Sequence, residues 1–255
     1  MKSFACYILV TILLVHGDRP VSPTGHLAIG NSPKQIPVLC YHHVKPPSRI
    51  NSPLYTIDPV IFEAQIKLLA DSGYKSILPD DLYNYLTTGS VLPERSIIIT
   101  FDDSHAEHFT TVAPILEKYN WKGVFFVMTV TTGKTGYLSP DQIKALSRRG
   151  HVIAGHSWDH PRLDTPGQHD WQRQISDPKK LLEKITGKPV LYFAYPYGAW
   201  NPAAIAQLKA RGIRAAFQLS GSMSGTEPLY TIRRLMVQGN WPAAMLYNKI
   251  RATFN

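Results

Sequence analysis

An α/β fold with a parallel sheet, either closed as a barrel or open and doubly wound, is predicted by two features of this sequence. Short apolar runs of strand length recur from Ile36 onward, and segments with helix-opening and helix-closing residues separate them. Polar residues able to do chemistry follow directly on three of those runs, where parallel α/β sheets collect their sites. At 255 residues and 44% hydrophobic side chains, the chain can bury one ordinary core, and a single domain over residues 36–255 is expected.

The apolar runs are Ile36 to Tyr41, Ser96 to Phe101, Gly123 to Met128, His151 to Gly155, Val190 to Ala194 and Ala215 to Leu219. They are continuous rather than alternating, the pattern of strands covered on both faces. Between them, Asp58-Pro59 caps and opens a helix running to Ala70, with Gly73 after its end. Ser139-Pro140 opens another that runs to Arg149 and stops at Gly150, and Asn201-Pro202 opens one ending at Arg211-Gly212. No internal repeat interrupts this alternation.

The start of the chain reads differently. Met1-Lys2-Ser3-Phe4 leads into an apolar run from Ala5 to Val15 that ends at Gly17, the shape of a cleavable secretory signal over residues 1–17. The run is shorter than the roughly 20 residues of a membrane span, and an uncleaved anchor is the alternative. Residues 18–35, rich in Pro, Gly, Ser and Asn, read as a linker. The domain is therefore expected to be exported, to the periplasm or to the outside of the cell envelope. Cys6 leaves with the signal, so no internal disulfide is expected, and Cys40 reads as a buried strand thiol. A formal charge of +9 suits an anionic envelope surface. The basic pairs Arg148-Arg149, Lys179-Lys180 and Arg233-Arg234 are isolated, so nucleic acid is not expected as a partner.

Three strand ends carry the chemistry. Asp102-Asp103 follows Ile97 to Phe101, His156-Ser157-Trp158-Asp159-His160 follows Val152 to Gly155, and Tyr197 follows Leu191 to Ala194. The two imidazoles, four residues apart, could share one side of a helical turn and with a carboxylate supply the three ligands that a water-activating metal needs. Adjacent acids at the end of an apolar strand are costly without a cation. If one carboxylate binds a metal, the other is free to take a proton from water. Capping of the segment near Ser104 would explain one acid and not both. Ser157 has no evident base partner, which disfavours a serine hydrolase.

With those residues in view, Thr100-Phe101-Asp102-Asp103, Gly150 to His160 and Phe193-Ala194-Tyr195-Pro196-Tyr197-Gly198 resemble the polysaccharide deacetylases of carbohydrate esterase family 4 in order and spacing. The resemblance covers about Ile36 to Val237. It implies a distorted (β/α) barrel of about seven parallel strands, somewhat short of the eight of a complete barrel. It further implies a divalent metal, usually Zn2+ with Co2+, Ni2+ or Fe2+ as alternatives, on Asp103, His156 and His160. Asp102 would be the general base, and the Tyr197 backbone N–H would help hold the oxyanion while its side chain walls the sugar site.

The sequence departs from the family's commonest pattern at three places. Ser104 stands where the family often has Gly, Ala194 stands where it often has Arg, and no histidine follows His169 to supply the usual late general acid. The chain is similar in this to the poly-N-acetylglucosamine deacetylases of biofilm export, where an early Tyr-His motif supplies the acid. Here that motif is Tyr41-His42-His43-Val44, which makes His42 the candidate acid, with an exchange of roles with His43 left open. Ile232-Arg233-Arg234-Leu235-Met236-Val237 resembles the same subgroup's late arginine segment, and Arg234 is the candidate to orient Asp102, with Arg233 as its rival. His105 and His108 read as a solvated helix start. Trp200, just after Tyr197-Gly198, is the tryptophan expected to meet a sugar ring.

The expected activity is metal-dependent hydrolysis of acetyl groups from N-acetylglucosamine units of an extracellular polysaccharide, poly-β-1,6-N-acetylglucosamine above all. Peptidoglycan, chitin oligomers and acetylated xylan are alternative substrates, and a non-catalytic carbohydrate-binding relative is the alternative of another class. The protein is expected to act as a monomer.

Overall fold

In the computed structural model, the described residues form ten strands and seven α-helices, among them the six strands and three helices that the sequence predicts. The structure describes Met1 and residues 34–46, 52, 54–165, 167, 169–219 and 221–254. The expected signal over residues 1–17 and nearly all of the expected linker lie outside the described residues. No helix among the described residues is long and apolar enough to cross a membrane.

The chain begins with β1 (Val38–Tyr41), β2 (His43–Val44) and β3 (Thr56–Ile57), then α1 (Pro59–Asp71), β4 (Lys75–Ser76) and α2 (Pro79–Thr88). It continues with β5 (Ser96–Phe101), α3 (Ala113–Lys118), β6 (Val124–Val127), α4 (Pro140–Arg148) and β7 (Val152–Gly155). The last part holds α5 (Asp177–Thr186), β8 (Tyr192–Ala194), α6 (Pro202–Ala210), β9 (Ala215–Phe217), β10 (Leu235–Met236) and α7 (Ala243–Phe254).

Helix starts follow the sequence signals. Asp58 accepts a bond from the Val60 N–H at 2.8 Å ahead of Pro59. Ser139 and Gln142 close a reciprocal pair of bonds at the start of α4, and Asn201 caps α6 through the Ala204 N–H.

Seven strands pair in the order β10-β1-β5-β6-β7-β8-β9, with β4 on the side of β5, and every pairing is parallel. The sheet curls until its ends meet: Ile232, just before β10, bridges Phe217 of β9, with the Ile232 N–H bonded to the Ala216 carbonyl at 3.1 Å. The expected distorted barrel is thereby the observed fold.

Strand alternation separates two of the three clusters of the core. Leu39, Ile97, Ile99, Phe101, Phe125 and Val127 point outward against the helices. Val38, Ile98, Val124, Phe126, Ala154 and Ala194 pack together in a second cluster on the opposite face. Both sides of β5 are closed to water, which accounts for its uninterrupted isoleucines. Each such side chain contributes about 1.5–3 kcal/mol by burial.

Candidate active site

The carboxyl ends of β1, β5, β7 and β8 open onto one cleft of about 580 Å³, lined among others by His42, Asp102, Asp103, His156, His160 and Tyr197. Every strand-end residue singled out in the sequence for metal or proton chemistry thus reaches one place.

Asp102 leaves the end of β5 with 2% of its surface exposed and receives two parallel bonds from Arg234, Nη1 to Oδ1 at 2.7 Å and Nη2 to Oδ2 at 2.8 Å. The arginine is held in turn by the Gln218 carbonyl and the Thr100 hydroxyl, and lies over the Phe126 ring. Arg233 turns away to Gln35 and the Phe254 ring, so of the two neighbouring arginines it is Arg234 that bonds Asp102. Burial alone would raise the Asp102 carboxyl. The Arg234 charge and bonds, together with His156, outweigh it and hold that carboxyl at about 2.

Asp103 and its successor Ser104 both adopt left-handed backbone, at φ 73° and 63°. This is the conformation that a glycine at position 104 would ease. Here Ser104 is fixed instead by accepting the Met128 N–H at 2.7 Å. The turn places the Asp103 carboxylate against the histidines. His156 Nε2 and His160 Nε2 each lie 3.5 Å from Asp103 Oδ1.

The histidine pair is not on a helical turn, contrary to expectation. It sits in the loop after β7, where Ser157 and His160 have φ of 64° and 66°. The Ser157 hydroxyl accepts the His160 N–H at 2.9 Å and closes the loop. A tight turn with two left-handed residues brings the rings together, with centroids 4.9 Å apart, in place of helical spacing.

These residues fit a divalent metal. His156 Nδ1 donates to the Ala194 carbonyl at 2.8 Å, so Nε2 keeps its lone pair facing Asp103. Buried Asp103 Oδ1 has no hydrogen-bond partner. Ligand atoms about 2.0–2.1 Å from a tetrahedral ion stand roughly 3.3 Å from each other, close to the separations found here. Two imidazoles and a carboxylate suit zinc and its first-row neighbours without choosing among them.

His42 lies past the end of β1 and lines the same cleft. One of its ring nitrogens, an Asp102 oxygen and Cys40 Sγ fall within 4.8 Å of one another. Cys40 itself is fully buried, as expected, with its thiol 3.5 Å from Asp102 Oδ2. Burial lowers the His42 pKa against the opposing pull of Asp102 and Asp103. His43 points to the Glu107 carboxylate, Nδ1 to Oε1 at 2.7 Å.

Tyr197 is 58% exposed, takes φ 60° and holds its ring 4.5 Å from that of His160. The next residue must be glycine. At φ +67°, a Cβ on Gly198 would stand 2.6 Å from the Leu219 nitrogen.

Two expectations are corrected. Trp200 does not line the cleft: its indole donates to Gln218 at 2.8 Å, its ring packs against the Leu163 and Ile205 cluster, and it borders a different hollow. His105 and His108 are buried rather than solvated. His108 bonds to the His42 carbonyl at 2.8 Å, and His105 stacks on His43. The sequence reading also passed over Tyr55, whose ring meets His42 edge-on at 5.1 Å in the cleft wall, because its segment carries no strand-end motif.

Comparisons with known proteins agree with this geometry. The profile of the family described as polysaccharide deacetylase matches residues 89–216. The chain is 26% identical over 206 residues to YxkH of Bacillus subtilis, named for the same family, covering 80% of this chain and 72% of that protein. It is 24% identical to the poly-β-1,6-N-acetyl-D-glucosamine N-deacetylase of Escherichia coli K12, over 69% of this chain but only 33% of that protein. The solved structure of the Streptococcus pyogenes deacetylase PplD in complex with acetate superposes with a TM-score of 0.79 at 25% identity, covering 86% of this chain and 99% of that one. The matched family segment runs from before β5 into β9, taking in Asp102, Asp103, His156, His160 and Tyr197, while His42 and Arg234 fall outside it. From its curled parallel sheet, its strand-end carboxylates and histidines, and half its length in register with the family profile, this chain belongs to the polysaccharide deacetylases and is a hydrolytic deacetylase.

Proposed function

We propose that this chain removes acetyl groups from N-acetylglucosamine units of an extracellular poly-β-1,6-N-acetylglucosamine, using Asp103, His156 and His160 to hold a divalent metal, Zn2+ first among the choices. When bound, such an ion supplies a Lewis acid that lowers the pKa of water and polarises a carbonyl. Asp102, ionised through Arg234, takes the proton of a water molecule approaching the acetamide carbon. Arg234 orients that carboxylate and does not touch substrate. The backbone N–H of Tyr197 faces the oxygen that becomes negative at the tetrahedral carbon. His42 delivers a proton to the nitrogen as the C–N bond breaks, and acetate and a free amine leave. The exposed Tyr197 ring forms one wall for the sugar.

The observation that carries this reading is the pairing of Asp102 with buried Arg234 one residue from an Asp103 carboxylate that faces two imidazoles. An acid kept ionised beside a set of metal-ligand atoms is the arrangement hydrolysis of an amide requires. The choice of polymer is supported by the position of His42 at the end of the first strand and by the Escherichia coli relative. An exported location, cleavage after residue 17, action as a monomer and attraction to anionic envelope polymers belong to the same proposal and rest on the sequence.

Acetate release by metal-stripped protein, with each divalent ion restored in turn, tests the proposal across poly-β-1,6-N-acetylglucosamine, peptidoglycan, chitin oligomers and acetylated xylan. The first polymer with zinc or cobalt is expected to give the highest rate. Turnover confined to another polymer overturns the substrate. Polymer binding with no turnover under any ion overturns the roles assigned to Asp102 and His42.

A further inference from the structure

We infer that Tyr55 is a second aromatic wall for the substrate, packing its ring against the pyranose whose acetamide is cleaved and so selecting substrates at the step of binding. The inference rests on the reading of the substrate as an N-acetyl pyranose and of His42 as the group that protonates its nitrogen. It does not depend on which polymer carries that unit.

Exposed aromatic rings are scarce on this molecule. Among the described residues only two are exposed, Tyr55 at 44% and Tyr197 at 58%, and the tryptophans are all buried or half-buried. Both tyrosines line the one cleft that holds Asp102, Asp103, His156 and His160. The burial forgone at these two positions is recovered when a ligand covers the rings.

The topology sets the two rings on different sides of the cleft. The strands run in the order β10-β1-β5-β6-β7-β8-β9, and the bridge between Phe217 and Ile232 brings the last back to the first. Counted round that closed ring, β1 and β8 are four steps apart one way and three the other, the widest separation seven strands allow. Tyr197 rises from the β8 side with its ring 4.5 Å from that of His160. His42 rises from the β1 side, and the Tyr55 ring stands 5.1 Å from it.

Main-chain bonds fix Tyr55 in that place. Its carbonyl accepts the His43 N–H at 2.9 Å, and its own N–H donates to the Ser52 carbonyl at 3.1 Å. The next two residues, Thr56 and Ile57, pair with His43 and Val44 in the β2–β3 ladder. The segment that carries the proposed acid and the segment that carries the ring are therefore built as one unit. Because the rings of Tyr55 and His42 meet at 75°, edge to face and not stacked, much of the tyrosine surface stays open to the cleft.

The chemistry of the bond broken says what lies over that surface. In an N-acetyl sugar the nitrogen that takes the His42 proton is bonded directly to a carbon of the pyranose ring, while the carbonyl side of the acetamide turns toward Asp103 and the histidines. Whatever flanks His42 in the cleft therefore flanks the sugar. A pyranose with equatorial substituents presents C–H groups on its faces, and an aromatic ring covers them without requiring a partner for any one hydroxyl.

Acetate release from N-acetylglucosamine oligomers by full-length, zinc-loaded protein is compared with hydrolysis of 4-methylumbelliferyl acetate, which carries an acetyl group and no sugar. Tyr55→Ala is expected to raise KM for the oligomer about tenfold while kcat changes less than about twofold, the pattern of lost uniform binding. Tyr55→Phe should keep the original KM, and both variants should cleave the sugar-free ester at the original rate. An unchanged KM in Tyr55→Ala overturns the inference. A fall in kcat at unchanged KM also overturns it, because that pattern marks a residue that acts through His42. Equal losses on ester and oligomer overturn it by assigning Tyr55 to the folding of the cleft. An unaltered protein that cleaves the ester but no N-acetylglucosamine oligomer refutes the substrate reading and the inference with it, whereas oligomer turnover with the same KM in Tyr55→Ala refutes the inference alone.

Discussion

Arg234 grips both oxygens of Asp102 in parallel, at 2.7 and 2.8 Å, where neither side chain reaches bulk solvent. Removing one member of a buried pair leaves the other charge stranded, at a cost of about 3–5 kcal/mol. Arg234→Gln should therefore lower the unfolding free energy obtained from urea titration by that amount, and its acetate release should fall together with it. Arg234→Lys should recover only part of either quantity, since an ammonium cannot make two parallel bonds. A lysine variant equal to the original protein in both measurements contradicts the orienting role.

Asp102→Asn tests the base. The amide keeps the shape but cannot accept the proton, so kcat should fall by about 10²–10⁴ while zinc content measured by elemental analysis stays unchanged. Retained activity would transfer the role to another group.

His42 can be separated from the rest by its leaving group. An amine needs a proton to depart and an alcohol needs it less, so His42→Gln should lose far more rate on an N-acetyl substrate than on an O-acetyl ester. The amide loss should be about 10²–10⁴. Equal losses on both substrates would mark His42 as a structural or binding residue.

Gly198→Ala probes the backbone that carries Tyr197. The added Cβ collides with the Leu219 main chain at a left-handed φ, and such overpacking costs about 1–3 kcal/mol. The melting temperature should fall, and KM should rise as the tyrosine wall shifts. An unchanged KM would show that the cleft does not depend on this turn.

Far from the cleft, Glu117 bonds Arg149 and His151. The Arg149 bond, against burial and with help from His151, holds its carboxyl at about 2. A carboxyl lowered in the folded state contributes stability above its ordinary value near 4.5, and that contribution fades as pH falls toward 2. The unaltered protein should therefore exceed Glu117→Gln in stability at pH 7, and the gap should close between about pH 4.5 and 2. Parallel urea titrations along that range check the sign, and a gap that widens in acid would refute it.

What could be read from sequence was whatever local patterning decides. The uninterrupted run Ile97-Ile98-Ile99 announces a strand covered on both faces, and Ser139-Pro140 with Gln142 announces a helix start, because each signal is completed within a few residues. Asp102 and Asp103 were readable for the same reason, as acids placed where a parallel strand ends. β10 was not, since two residues of strand have no period and exist only through pairing with Leu39 and Cys40. Arg234 could be located in sequence only by resemblance, and its choice over Arg233 depends on which way that short strand faces. The His156 loop was misread because spacing of four has a helical meaning, and only the left-handed backbone at Ser157 and His160 shows the other solution. His105 and His108 were read as solvated because the residues they meet, His43 and His42, lie far off in sequence. Trp200 was misplaced because adjacency in the chain says nothing of which wall a ring faces.

The bridge between Phe217 and Ile232 closes the sheet, and the same short segment delivers Arg234 to Asp102 two residues later. Closing the sheet and supplying the counter-ion of Asp102 are therefore tasks of one short segment. Without it, the chain would own every residue proposed to grip metal, yet leave a buried carboxylate uncompensated.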